Sequence, residues 1–224
     1  MIDIIVITKN NRVELMDTII SIKTQIAFIN RVIIVDDSDK SHLEEILSII
    51  CCDEKVFYIH QKAKSIYNAF NIAMPHVRKN YLFLNSGDRL LCGAFQNIRE
   101  PAILPVISLR NNFAVKVLKK NNFFFWFCHQ SIIFDKNFKQ YFNEDYKIAA
   151  DLDFYIRYVK EFGIPKTQTV RNGLIGYDLD GISSTNRILR DKEYLKIYYK
   201  NKLYAQFGLF LCLMVLKLFL GRYV

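Results

Sequence analysis

"IDIIVIT" (residues 2–8) is a run of β-branched residues, apolar almost from end to end. A strand with one wet face alternates apolar and polar side chains. A run without alternation suits a strand buried on both faces, as in a parallel sheet. The next segment changes period: Val13, Met16, Ile19, Ile20, Lys23 and Ile26 recur at helical spacing. "RVIIVDD" (31–37) is a second buried strand, ending in two acids. "SHLEEILSII" (41–50) is helical, with Ser41 and Glu44 at capping-box spacing. "VFYIH" (56–60) is a third strand, "KSIYNAFNIAM" (64–74) a helix that Pro75 ends or kinks, and "YLFL" (81–84) a fourth strand. This alternation predicts an α/β fold, an open and mostly parallel sheet flanked by helices. Ligands bind such sheets beyond the carboxyl ends of the strands. Thr8–Lys9–Asn10, Asp36–Asp37 and Asn85–Ser86–Gly87–Asp88 all stand at such ends.

The pattern then changes. Residues 103–134 hold short strand-like runs without helices between them: "ILPVISL" (103–109), "FAVKVL" (113–118), "NFFFWF" (122–127) and "QSIIF" (130–134). Residues 143–163 read as an amphipathic helix closed by Gly163, and "KTQTVRN" (166–172) as one more strand. The aromatic stretch 121–127 is either a core strand or a platform on which a sugar ring stacks.

At 224 residues the chain suits one large domain or one domain with an appendage. Eight Gly and four Pro are too few for long disordered linkers. Cysteines at 51, 52, 92, 128 and 212 form no C-x-x-C or Cys/His cluster, so reduced, mostly buried thiols are expected and a structural zinc site is not. Residues 1–8 lack a basic lead and a cleavage site, so no secretory leader is expected. Of the net charge of +9, residues 187–224 supply +6. An anionic partner therefore belongs at the C-terminus. Because that charge adjoins an apolar tail, no nucleic-acid partner is expected.

The polar strand ends have specific chemistry. Asp36 and Asp37 either cap the following helix with Ser38 and Asp39 or accept from a base imide and ribose hydroxyls. No G-x-G-x-x-G follows the first strand, which disfavours a dinucleotide site. Nor does "TKNNRVE" (8–14) carry the Gly-rich, basic signature of a nucleotidyltransferase. Lys62 and Lys64, just before the third helix, are placed to reach phosphate. Asp88 on a tight turn suits a divalent cation bound to a diphosphate, because the phosphate oxygens and water complete the coordination.

These motifs together resemble the family 2 glycosyltransferases of GT-A fold, and within them bacterial enzymes of the colanic-acid, capsule and O-antigen kind. The resemblance rests on Thr18-Ile19-Ile20-Ser21-Ile22 with Gln25, on Val35-Asp36-Asp37-Ser38, and on Ser65-Ile66-Tyr67-Asn68-Ala69-Phe70-Asn71. It continues with Phe83 to Asp88 as F-L-N-S-G-D, "CHQS" (128–131), "ADLDFYIR" (150–157) and "GIS" (181–183), over roughly residues 2–185. It implies a Rossmann-like central sheet in a domain over 1–185, with a nucleotide-sugar half (1–92) and an acceptor half (93–185). It implies inverting transfer of a sugar, with a UDP-sugar the leading donor, onto a polyprenyl-diphosphate-linked saccharide at the cytoplasmic face of a bacterial inner membrane. Thr8 and Asp37 would hold the nucleoside, Asp36 would support the ribose, and Asp88 would ligate Mg2+ or Mn2+. Asp151 would be the base, with Asp153 the alternative, and His129 with Gln130 would stand near the diphosphate or acceptor. Gly87 would let the backbone pass close to the diphosphate. Asn85 stands where many relatives carry the first acid of D-x-D, and Ser65 and Asn68 replace a Gly and an Asp. A protein that binds nucleotide sugars without catalysis is the alternative reading.

Residues 186–224 form a separate basic and apolar helical segment. Fourteen uncharged residues lie between Lys202 and Lys217, short of the roughly 20 that span a bilayer. A basic lead into an apolar helix suits a monotopic anchor on an anionic membrane surface. A spanning helix that takes in Lys217, and a buried helix or oligomer contact, are the other readings.

Overall fold

A computed structural model of the chain describes residues 1–51, 53–91, 93–95, 98, 100–110, 113–117, 122–125, 128–167, 175–178 and 186–219. The first ninety residues alternate as read: β1 (Ile2–Thr8), α1 (Arg12–Lys23), β2 (Ile29–Asp36), α2 (Leu43–Ile50), β3 (Val56–His60), α3 (Ile66–Ala73) and β4 (Tyr81–Asn85). The strands pair in parallel in the order β3-β2-β1-β4. Both faces are covered, and period two sorts the side chains. Ile5, Ile7, Ile33, Val35 and Phe83 enter an aromatic core with α3, while Ile4, Val6, Val32, Ile34 and Leu84 pack with α1 and α2.

The register decides where the polar ends meet. Thr8 pairs with Asp36, Asp36 with His60, and Ile7 with Asn85, so these carboxyl ends lie level. Chain order reverses between β1 and β4. That reversal opens a crevice outside the strand ends, the usual ligand position in doubly wound sheets.

The second half is built from short strands: β5 (Arg89–Leu90), β6 (Ala102–Ile103), β7 (Val106–Arg110), β8 (Phe113–Val117), β9 (Ile132–Ile133), β10 (Lys166–Thr167) and β11 (Ile175–Asp178). They form the sheets β10-β6-β9 and β5-β11-β7-β8. Between β9 and β10, α4 (Ala150–Phe162) drives Phe154 and Tyr158 into the aromatic core, where Phe142 and Phe154 stack at 4.2 Å. The chain closes with α5 (Arg187–Lys200) and α6 (Tyr204–Phe219). Ile197 and Tyr198 of α5 and Phe210 of α6 join that same core. No helix among the described residues is long and apolar enough to cross a membrane.

Several local expectations are corrected. Helix α1 does not bury the stripe read from Val13 and Ile20, which are 70% and 51% exposed; it buries Leu15, Thr18, Ile19, Ser21 and Ile22. Two polar residues lie on that face because they hold a neighbouring turn. The Ser41/Glu44 capping box does not form. The N-cap of α2 is His42, whose N–H donates to Tyr58 OH at 2.9 Å and to Asp36 Oδ2 at 3.3 Å, while Ser41 Oγ donates to Tyr58 OH. Helix α4 starts at Ala150 and not at 143, because Glu193 of α5 accepts the N–H groups of Lys147, Ile148 and Ala149 at 2.8, 3.0 and 2.9 Å. Those donors are thereby lost to a helix. Residues 122–125 turn and are not strand. Cys51 and Cys212 are exposed free thiols, against the expected burial. The readings at 168–172, at Trp126 and Phe127, at "GIS" (181–183) and at 220–224 lie outside the described residues.

Candidate functional site

A cavity of about 590 Å³ opens where β1 and β4 end, and its size falls in the usual range for small-ligand sites. Thr8, Lys9, Asp37, Asn85 and Ser86 line it from the sheet edge. Ser65, Tyr67 and Ala69 line it from α3, His129 and Gln130 from the turn after residue 128, and Lys147, Ile148 and Asp151 from the approach to α4. The predicted residues Thr8, Asp37, Asn85, His129 and Asp151, from distant parts of the chain, therefore line one cavity.

Four of these lining residues carry unmet hydrogen-bonding capacity. Thr8 Oγ1, Asp37 Oδ1, Asn85 Oδ1 and His129 Nε2 are buried and have no hydrogen-bond partner. Leaving a buried polar atom unpaired costs about 1–3 kcal/mol, so four around one cavity mark a place where a polar ligand supplies the partners.

The two adjacent acids part company here. Asp36 is fully buried and spent inside the protein: Oδ1 accepts the Ser38 N–H at 2.9 Å, and Oδ2 accepts from Tyr58 OH and meets His42 Nδ1 at 2.8 Å. Burial pushes its carboxyl up, but the hydrogen bonds from Ser38, Tyr58 and His42 outweigh burial and hold it below the usual range. It does not line the cavity. Asp37 does. The hydrogen bond from Lys9 Nζ to Oδ2, at 2.9 Å, is the main cause that holds its carboxyl down; Lys62 stands 4.0 Å from Oδ1. Asp37 is thus a charged acceptor with one oxygen pinned and the other unsatisfied.

The turn after β4 is clamped from α1. Gly87 takes a φ of +101°, a conformation that glycine adopts without strain. Its N–H donates to Thr18 Oγ1 at 3.0 Å, and Thr18 Oγ1 donates to the Asp88 carbonyl at 2.8 Å. Ser21 Oγ accepts from Leu90 N–H at 3.1 Å. The Thr and Ser of the α1 run therefore position this turn. Gly87 itself does not line the cavity.

For the implied divalent cation, the donor set is sparse. Asp88 is 2% exposed and its Oδ2 accepts the Asn85 N–H at 3.0 Å, so this carboxylate turns toward its own turn. From the same turn, Asn85 lines the cavity, and its Oδ1 is buried without a partner. No group of three His, Cys, Asp or Glu that could hold a metal occurs among the described residues. One amide oxygen with a carboxylate behind it fits a cation that takes most of its ligands from a diphosphate and water.

On the opposite wall, His129 Nδ1 lies 3.4 Å from Asp151 Oδ2. Asp151 stands in the first turn of α4, its side chain 27% exposed. Asp153 faces elsewhere: it is buried, takes Arg157 Nε at 2.9 Å and Asn201 Nδ2 at 3.3 Å, and does not line the cavity. Lys64 is also off the wall; its N–H donates to Asn68 Oδ1 at the start of α3. Sequence reasoning did not single out Lys147, Ile148 or Tyr67 as site residues. Tyr67 OH donates to the Ile148 carbonyl and ties the approach to α4 onto α3, a contact across 81 positions that no local pattern announces.

Comparison with known proteins agrees with this architecture. Residues 3–90 match the family model of glycosyl transferase family 2. No curated protein matches the chain. Among solved structures, S. aureus TarS 1–349 in complex with UDP superposes with a TM-score of 0.65 at 13% identity, over 89% of this chain and 64% of that one. Another structure of S. aureus TarS gives 0.62 at 15% identity, over 87% and 39%. The mannosyltransferase PcManGT from Pyrobaculum calidifontis, in complex with GDP-Man and Mn2+, gives 0.61 at 13% identity, over 89% and 63%. The chain thus spans less than two thirds of the length of these proteins, and at such identity the likeness is one of fold.

Proposed function

We propose that this chain is a family 2 glycosyltransferase, a reading supported by the match over residues 3–90 and by the fold, and that it moves a sugar from a nucleotide-diphosphate sugar to a saccharide hydroxyl with inversion. The observation that carries the reading is the ring of buried, unpartnered polar atoms around the strand-end cavity. Asp37 Oδ1 suits the imide N–H of a uracil or guanine base, and Thr8 Oγ1 a neighbouring polar group of the nucleoside. TarS and PcManGT, with UDP and GDP-Man bound, make UDP- and GDP-sugars the first donors to test.

Asp151 takes the proton of the acceptor hydroxyl as that oxygen attacks the anomeric carbon. The bond from that carbon to the diphosphate oxygen breaks, and attack from the opposite face inverts the centre. A Mg2+ or Mn2+ ion on the diphosphate would be held by Asn85 and Asp88, and it would offset charge on the leaving group. His129 Nδ1 stands 3.4 Å from Asp151 Oδ2, placed to steady the base, and its Nε2 is buried without a partner beside the cavity. A polyprenyl-diphosphate-linked saccharide at the cytoplasmic face of a bacterial inner membrane is the proposed acceptor, supported by the basic charge of the last forty residues. The inward turn of Asp88 favours a second reading, a protein that binds nucleotide sugars without transfer.

A donor screen separates the two. UDP-, GDP- and dTDP-sugars are offered with a polyprenyl-diphosphate-sugar acceptor, with and without EDTA, while calorimetry follows nucleoside-diphosphate binding. Transfer that Asp151→Asn lowers by about 10²–10⁴-fold, with nucleotide affinity retained, is the expected result. Binding without transfer would give the second reading, and neither binding nor transfer would sink both.

A further inference from the structure

The last helix has two faces that do not resemble each other. Toward the body, Phe210 is buried among Phe124, Tyr194 and Tyr198, with Leu203, Phe207 and Met214 packed on the same core. Lys217, the one charged residue of α6, belongs to this side, and its Nζ reaches Asp191 Oδ2 on α5 at 3.1 Å. Asp191 is 1% exposed and also holds Arg190 at 2.8 Å. The charge within the apolar run is therefore neutralised against α5, and the helix is pinned to the domain.

The outer face carries no charge among its described side chains. Leu209, Leu211, Leu213, Val215, Leu216 and Phe219 are all exposed, Leu216 at 59% and Phe219 at 86%. On a helical projection these positions and the small residues between them fill about half the circumference. Exposed apolar surface of this continuity marks an interaction face. Its rim is basic: Lys200 and Lys202 are exposed at the α5–α6 corner beside exposed Tyr199 and Tyr204, whose rings stand 6.1 Å apart.

We propose that α6 lies in the surface of an anionic phospholipid bilayer, parallel to its plane, with its outer leucines among the acyl chains and the corner lysines on the headgroups. Length argues for lying over spanning: the fourteen uncharged residues between Lys202 and Lys217 give about 21 Å of helix against a hydrocarbon core of about 30 Å. Charge argues for lipid over a second copy. A two-fold contact through this face would set two strongly basic segments, each +6 over residues 187–224, against one another, whereas anionic headgroups offset them. Tyrosines beside lysines at the edge of an apolar face are the usual composition of an interfacial helix. The proposal deepens the transferase reading by naming the surface from which a lipid-linked acceptor is taken, and it rests on that reading for the acceptor alone.

Sedimentation of the full chain with vesicles of pure phosphatidylcholine and of phosphatidylcholine with phosphatidylglycerol tests it. Binding to the anionic vesicles, weakened by salt, is expected. Leu209→Glu with Leu216→Glu should lose at least tenfold in partitioning, and Lys200→Glu with Lys202→Glu about tenfold or more. Phe219→Trp should shift its emission to the blue on anionic vesicles only. Equal partitioning of the wild type and the leucine variants would overturn the proposal. So would a dimer in ultracentrifugation that ignores vesicles and falls apart in the leucine variants. Calorimetry with UDP and GDP on the same samples keeps the two readings apart: lost vesicle binding with intact nucleotide binding counts against the membrane face alone, and the reverse against the transferase alone.

Discussion

Asp36 and Asp37 are neighbours in sequence and opposites in environment. Both oxygens of Asp36 are spent on Ser38, His42 and Tyr58, while Asp37 keeps one buried oxygen without a hydrogen bond in the cavity wall. Asp36→Asn puts a donor where donors already point, so a stability loss of about 2–4 kcal/mol is expected in urea denaturation, with nucleotide affinity little changed in the folded fraction. Asp37→Asn should do the reverse: near-native stability and nucleoside-diphosphate affinity weakened about 10- to 100-fold by calorimetry. The pH dependence follows from the sign of the shift. The folded-state pKa of Asp36 lies below its unfolded value of about 3.9, so its stabilisation is full above that pH and is lost as pH falls through the folded value. A urea midpoint that declines with acid in the wild type, and declines less steeply in Asp36→Asn, would agree; parallel declines would place the acid sensitivity elsewhere. The pair was legible in sequence as a polar strand end. Which acid faces a ligand was not, because His42 and Tyr58, six and twenty-two positions on, decide it.

Helix α4 shows the same division at the scale of elements. Its apolar periodicity and its Gly163 stop are local and were readable; its start was not. Residues 147–149 are held off the helix by Glu193, whose carboxylate takes three successive N–H groups from another helix. Lys147 and Ile148 line the cavity and Asp151 follows in the first turn, so α5 sets where the proposed base stands. Glu193→Ala should leave three donors unmet, two of them buried, lower stability by about 3 kcal/mol and cut turnover while donor affinity stays near native. Steady-state kinetics beside calorimetry reads this split, and a proportional loss of donor binding would mean that α5 supports the whole cavity. In the second half, β6, β9 and β10 hold two residues each, too few to print a period, and their partners lie far off in the chain. The doubly wound half was readable because its strands run five to eight residues and alternate with helices.

At the scale of the molecule, one aromatic core joins the parallel sheet to both final helices, so α5 and α6 are built into the body of the protein. Composition alone left three readings for the tail, since an apolar run with one lysine suits a bilayer span, a surface helix or a core helix. The pairing of Lys217 with Asp191 bears on them: it puts the lysine on the inner side, and the described side chains on the outer face are uncharged. Asp191 is then the pin on which the geometry of the tail depends. Asp191→Ala removes the buried acid that holds Arg190 and Lys217 together, a change that typically costs about 3–5 kcal/mol at buried pairs. Because Phe210 still fills its pocket, the expected outcome is local: α6 detaches in a larger share of molecules while the strand-end cavity persists. Limited proteolysis should cut near residues 201–203, the junction of α5 and α6, many-fold faster than in the wild type. Nucleoside-diphosphate binding should be unchanged in the variant before cleavage. If cutting instead spreads through the parallel sheet, α6 is part of the cooperative core and not an element docked on it. The pin would then stabilise the donor site as well as the tail.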